Sequence, residues 1–358
     1  MKCSGPMEWM EAFLSGERPD RIPLTMYCFF AGDKPWENPE WQPLFRDGLR
    51  LTYGFGLTNH QTPGLEWRSA SWVENGHQMT RDWAVTPAGE IHTTRMNGWR
   101  QDYQLKTAED YRVATWIARN TKITPLFASR AEAFKAFAET QEREAGYALL
   151  GTHVFRTPIQ SILVDYVGLE NFSYHLMDLE AEMMELYEAM LRNFETTVSI
   201  VAEGPGKYVS SLENFTAETM GPERFRQFIL PVYKKCFPAL LQAGKVIGTH
   251  YDGKLDSCKE AIAEAPVSLI ESLTPPPEGD MTLKQCRQAW PDKLFWVNIN
   301  VSAYGLPPAE LKAYVHRLID EAAPDGRRLA FEVSEDLPAN WRESIPVVLE
   351  ALRERQGA

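Results

Sequence analysis

The sequence predicts an α/β fold: strand–helix units wound around a parallel sheet that closes as a barrel, carrying an aromatic-rich N-terminal extension with a β-hairpin. Three observations point to it. A chain of 358 residues is long enough for two ordinary domains, yet α/β barrels regularly reach this length as one unit. The second half alternates short apolar runs with longer amphipathic ones, the pattern of βα units. Those apolar runs also end, one after another, in His, Asp, Asn or Glu, as expected where strand C-termini surround a common site.

In chain order, Ile22 to Tyr27 reads as the first strand. Eight of the eleven tryptophans lie before residue 120, and Met79 to Trp99 alternates like a hairpin turning at Thr86-Pro87-Ala88-Gly89. Those aromatics suit either packing of the hairpin on the barrel or the wall of an apolar site. Leu149 to Phe155 is strand-like and contains His153. Leu176 to Val201 reads as one amphipathic helix, with Leu176, Leu179, Met183, Leu186, Met190 and Leu191 on a single face.

Lys207 to Leu212 is the next strand, ending at Glu213-Asn214. Gly221-Pro222 opens a helix, Pro being favoured in a first turn, and Phe225, Phe228, Ile229 and Val232 follow its period. Further strands are predicted at 245–249 running into His250, at Val267–Ile270 ending at Glu271, and at Leu294–Val297 ending at Asn298 and Asn300. A helix over 308–322 precedes the strand Arg328–Phe331, which ends in Glu332, Ser334, Glu335 and Asp336; a last helix closes near Arg355.

The most informative run is His250-Tyr251-Asp252-Gly253. Residues i and i+2 of a strand point to one side, so His250 and Asp252 can face one point, and Gly253 allows the backbone to turn away. An imidazole and a carboxylate there suit a metal ion, a proton-transfer pair or a hydrogen-bonded structural pair. The other polar strand ends favour a shared cavity over separate accidents.

Composition narrows the classes. With 44% hydrophobic and 24% charged residues the chain can bury a large core, and a net charge of −12 argues against a nucleic-acid footprint or an anionic membrane surface. Five cysteines, Cys3, Cys28, Cys236, Cys258 and Cys286, form no CxxC pair and are odd in number. That is the usage of a reducing compartment. No secretory core or membrane-length apolar run is visible, so a cytoplasmic location is expected.

Along nearly its whole length the chain resembles the uroporphyrinogen decarboxylase superfamily. The matching landmarks are Arg18-Pro19-Asp20-Arg21-Ile22-Pro23, Trp83 with Thr86-Pro87-Ala88-Gly89, and Phe155-Arg156-Thr157-Pro158 with Gly168-Leu169-Glu170-Asn171-Phe172. The most telling are Gly221 to Pro231 and His250-Tyr251-Asp252-Gly253. The resemblance implies a single (β/α)8 TIM-type barrel domain spanning 1–358, with 1–120 as the extension and hairpin region and 121–358 supplying the main βα units. Two departures choose the branch. The decarboxylase grips its tetrapyrrole carboxylates with an Arg-rich loop after the opening Pro. Here Leu24 to Asp33 contains no Arg, and a polycarboxylate needs charge-assisted donors. The corrinoid-linked methyltransferase branch instead has a His-x-Cys pair and a later Cys bound to zinc. This chain keeps His250, places Asp252 at the first Cys position, and has Glu335 at or near the second, with Glu332 as competitor. One neutral and two anionic ligands are thus retained, with oxygen replacing sulfur.

What the resemblance implies is a methyltransferase acting on a small methylated donor, an ether or alcohol, and using a divalent metal expected to be zinc. Its methyl acceptor is a corrinoid brought by a separate carrier protein, since no Asp-x-His-x-x-Gly loop is present, or a thiol. Glu213 and Glu271 are expected as a further ligand or proton donor, and His60, His153, Asn298 and Tyr27 as substrate contacts. Homodimer formation is left open. Two other readings remain: a metal-free decarboxylase or lyase of a small carboxylic acid anchored by Arg156, Arg68 or Arg100, and a non-catalytic binding protein of the same fold.

Overall fold

A computed structural model describes residues 5–144 and 146–355; Cys3 lies outside them. The described chain contains fourteen strands. The first two are β1 (Leu24–Tyr27) and β2 (Leu49–Gly54). Next come β3 (Thr58–Gln61), β4 (Glu66–Glu74), β5 (His77–Thr86), β6 (Gly89–Met96), β7 (Trp99–Arg100) and β8 (Lys122–Pro125). The last six are β9 (Ala148–His153), β10 (Tyr208–Ser211), β11 (Val246–His250), β12 (Leu269–Leu273), β13 (Leu294–Asn298) and β14 (Leu329–Glu332).

Eight of them close into a barrel in the order β1-β14-β13-β12-β11-β10-β9-β2, every pair parallel. The predicted α/β barrel is therefore observed. Its first two staves fall within 1–120, and the stave Leu49–Gly54 has no counterpart among the strands expected from sequence. Two compact units can be distinguished: the described residues of 1–56, 127–153 and 202–358 form the barrel unit, and 57–126 with 154–201 form the other.

The barrel's N-terminal end is sealed by its own chain. In the helix Pro6–Leu14 a Pro starts the first turn, and Met10, Phe13 and Leu14 are buried on one face. That face packs with Leu149, Tyr208, Val246, Leu269 and Leu294, residues at the beginnings of their strands, and with Trp296 and Ala330. Phe13 meets Trp296 edge to face at 5.8 Å, and Tyr208 lies 5.4 Å from the same indole. A β-carbon on Gly151 or Gly248 would come within 2.8 or 2.7 Å of the Tyr208 ring. The glycines on the two staves beside β10 therefore make room for a tyrosine in the barrel's centre. Gly248→Ala is expected to cost about 1–3 kcal/mol through overpacking. An unchanged urea midpoint would show that Tyr208 moves aside freely.

In the second unit, β4 to β7 form a four-stranded antiparallel sheet. The expected hairpin is its β5–β6 pair, in register from Met79–Met96 to Thr86–Gly89. Thr86 Oγ1 accepts from the Ala88 amide and donates to the Gly89 carbonyl, closing the turn. The same unit holds the helices Ala108–Asn120 and Leu169–Asp178, most of Glu180–Glu203, and the strand pair β3–β8. The single helix expected over 176–201 is two, because the backbone at Leu179 leaves helical conformation (φ −132°). Apolar periodicity continues across such a break, so sequence alone does not reveal it.

Candidate metal centre at the barrel mouth

Strand register brings the polar strand ends together. His250 stands beside Glu271, Asn298 beside Glu332, and His153 beside Ser210. His250 is the last residue of β11 and Asp252 follows two residues on. A β-carbon on Gly253 would lie 2.3 Å from Thr216 Cβ, and Gly253 has no left-handed φ. The glycine is thus required by close approach of the Thr216 segment, not by the sharp turn expected from sequence. β12 carries an irregularity between Ile270 and Leu273, with Ser272 at φ +56°, a bulge of the kind that re-aims side chains beside active sites.

Around His250 the distances are short. Its Nε2 lies 3.0 Å from Glu335 Oε1 and 3.9 Å from Asp252 Oδ2, while Nδ1 lies 3.6 Å from Glu271 Oε2. One ring nitrogen therefore faces two carboxylates and the other faces a third. One ligand atom from each of His250, Asp252 and Glu335 falls within 4.8 Å of the others. Ligands at about 2.0–2.2 Å from a tetrahedral ion lie roughly 3.3–3.6 Å from one another, and the Nε2 distances of 3.0 and 3.9 Å bracket that spacing. Both His250 nitrogens, Glu335 Oε1 and both oxygens of Glu332 are buried and lack a well-formed hydrogen bond among the described residues. Buried polar atoms are rarely left so, and here they converge on one place.

The electrostatics agree. Burial alone pushes the His250 imidazole down, but Glu271 and Glu335 reverse this and hold it well above its ordinary value. Contact with His250 keeps the Glu335 carboxyl low against the opposing effect of burial. Burial, then the charge of Glu271, pushes fully buried Glu332 well up. The His250 imidazole and the Glu332 carboxyl are thus held toward their protonated forms, and the Glu335 carboxyl toward its charged one.

The remaining expected residues divide. Tyr27, at the end of β1, puts its hydroxyl 3.4 Å from Ser272 Oγ; burial, then the charge of Glu332, raises its pKa. Asn298 is buried and, with Asp252 and Glu335, lines a polar cavity of about 140 Å3. His153 ends β9, its ring occupying the space where a side chain on Gly54 would stand; burial lowers its pKa. Glu271 also accepts from Ser210 Oγ at 3.4 Å. Glu213 is fully buried, accepts from Ser211 Oγ at 3.1 Å, and its charge acts on the buried Tyr233–Tyr251 hydroxyl pair. His60 belongs to the other unit, where Thr58 Oγ1 lies 3.1 Å from its Nε2. Glu332 is not among the three clustered ligands. Ser272 and Ser210 escape sequence reading because their roles depend on the bulge and on register.

Fold and site together define a (β/α)8 barrel with a His/Asp/Glu cluster at the C-terminal ends of its strands. No protein-family model and no curated protein matches the chain. Among solved structures it is similar to a methyltransferase from Methanosarcina mazei, with 12% identity over 98% of each chain and a TM-score of 0.57. A thiamine phosphate pyrophosphorylase from Pyrococcus furiosus matches at 8% identity over 94% of this chain and 98% of that one, with a TM-score of 0.32. A D-psicose 3-epimerase matches at 11% over 63% and 82%, with a TM-score of 0.35. The first likeness shows a shared barrel fold. No helix among the described residues is long and apolar enough to cross a membrane.

Proposed function

We propose that this chain is a metal-dependent methyltransferase of the corrinoid-linked branch of the uroporphyrinogen decarboxylase superfamily. It moves a methyl group between a small methylated substrate, such as an ether or alcohol, and a corrinoid carrier protein or a thiol. The observation that carries this reading is the convergence of His250, Asp252 and Glu335, the positions at or near which that branch has its zinc ligands. The fold shared with a methyltransferase supports it.

His250 Nε2, Asp252 and Glu335 would hold the ion; zinc is expected, and the nitrogen and oxygen donors also suit iron, manganese or cobalt. A divalent ion held there supplies Lewis acidity toward the oxygen or sulfur that exchanges the methyl group. Glu271, opposite Nδ1, orients the imidazole as carboxylates do behind metal-bound histidines. Glu332 is the carboxyl placed to hold a proton beside the ligands, while Glu213 has a structural part behind Tyr233 and Tyr251. Asn298, which lines the cavity beside Asp252 and Glu335, is the substrate contact best supported by position, and Tyr27 and His153 are the further contacts proposed.

The metal-free decarboxylase reading needs a free cationic anchor, and its three arginines are engaged. Arg68 pairs with Glu66, Arg156 with Asp165, and Arg100 donates to the Val164 and Asp165 carbonyls. Elemental analysis of the purified protein tests the proposal: about one divalent ion per chain is expected, and negligible metal after growth in zinc- or cobalt-supplemented medium sinks it. Glu271→Gln keeps the shape but removes the charge behind Nδ1, and is expected to weaken metal binding about 10–100-fold. An unaltered affinity in a chelator competition assay removes Glu271 from the orienting role.

A further inference from the structure

A larger cavity, of about 360 Å3, lies wholly within the unit formed by 57–126 and 154–201. This is within the range of small-molecule pockets, roughly 300–1,000 Å3. Two helix faces wall it: Ala114, Ile117 and Ala118 from Ala108–Asn120, and Leu186, Met190 and Phe194 from Glu180–Glu203. The alanines leave the space open, while Trp67, Phe155, Tyr166 and Phe194 bring rings to its edge. None of these residues contributes to the His250 cluster.

Two independent features mark this cavity as built for a ligand. Phe155 stands on its lining at φ +62°, a conformation costly for a bulky residue, and its side chain is half exposed. Such strain persists at ligand clamps, where the surrounding structure enforces it. The chain from Ser161 to Tyr166, both lining residues, passes through the π-helical turn Ile162–Val167, a distortion common at functional sites.

The polar end is close to charge-balanced. Arg156 Nη1 lies 3.3 Å from Asp165 Oδ1, and Ser161 Oγ donates to Asp165 Oδ2 at 3.1 Å. An anion arriving there competes with Asp165 for the guanidinium, and a cation competes with Arg156 for the carboxylate. A neutral hydroxyl can accept from Arg156 and donate to Asp165 or Ser161 without displacing either, and an ether oxygen can accept from Arg156. His60, on the lining, already meets Phe155 edge to face at 6.2 Å, and a planar ring extends that arrangement where a saturated one does not.

We propose that this cavity binds a small, uncharged aromatic molecule carrying a hydroxyl or ether oxygen, its ring between the two helix faces and its oxygen at Arg156 and Ser161. The proposal does not rest on methyl transfer. The test is titration of the purified full chain with a matched series, p-cresol, 4-methylbenzoate and 4-methylcyclohexanol, followed by ligand-observed NMR. Saturable binding of p-cresol at least about threefold tighter than either analogue is expected. Ala118→Phe, which fills the slot, should weaken it by about tenfold or more, and Phe155→Ala by roughly three- to tenfold. Phe155 is exposed enough for its variant to fold, so that arm decides the matter even if the filled variant does not. Absence of saturable p-cresol binding, equal or tighter binding of either analogue, or unchanged affinity in a folded Phe155→Ala protein overturns the proposal.

Discussion

Asp252→Ala is expected to lose the metal ion, with an affinity fall of at least about a hundredfold, because partners one shell further out are alone worth about 10–100-fold. The argument is electrostatic and geometric. Nε2 of His250 is shared between Asp252 and Glu335 at 3.9 and 3.0 Å, so removing one carboxylate leaves a two-ligand site of lower charge. Proton competition gives the same centre a pH signature. With Glu271 and Glu335 holding the metal-free imidazole well above its ordinary value, a cation must displace a proton from Nε2. Affinity therefore rises with pH until that raised value is passed, by up to about tenfold per pH unit for each proton released. Dissociation constants measured at about pH 6, 7 and 8 for wild type and variant check both statements. Equal metal content in the two proteins, or a flat pH dependence, removes Asp252 or His250 from the ligand set.

Trp296→Ala is expected to give the largest loss of stability, about 3–5 kcal/mol, through the closed end of the barrel. The indole is fully buried, touches Phe13 and Tyr208, and donates from Nε1 to Thr25 Oγ1 at 2.9 Å. Truncation opens a cavity between three staves and the N-terminal helix and leaves the Thr25 hydroxyl with only its 3.3 Å contact to the Phe331 carbonyl. The melting temperature should fall by roughly 5–15 °C. Metal affinity at low temperature should change less than stability, since Trp296 stands mid-strand in β13 and supplies none of the clustered ligands. A melting curve within a degree or two of wild type removes Trp296 and the helix Pro6–Leu14 from the barrel's support.

Much of the barrel is legible along the chain. β11, β13 and β14 are short apolar runs ended by His250, Asn298 and Glu332, and period and termination both survive in one dimension. β2 is not legible in the same way. Leu49-Arg50-Leu51-Thr52 puts a buried charge in the strand, accommodated because Arg50 turns back to donate to the Phe45 and Leu49 carbonyls, a contact no local pattern announces. Of the four-stranded sheet only the β5–β6 hairpin is taken from the sequence. β4 pairs with β5 over nine positions across Asn75-Gly76, both at positive φ, a local turn signal that could have revealed it, whereas β7 is only two residues long.

For the centre, the sequence by itself determined that His250 ends a strand with Asp252 two residues on and that acids terminate neighbouring strands, because strand periodicity and its termination are local properties. That Asp252, beyond the end of β11, faces Nε2 is decided by the tertiary structure. Only the tertiary structure decided among those acids. Glu335 rather than Glu332 reaches Nε2, Glu271 stands behind Nδ1, and Glu213 turns to the tyrosine pair. Barrel closure, stave register and the bulge at Ser272 set those distances, and each depends on residues far apart in the chain.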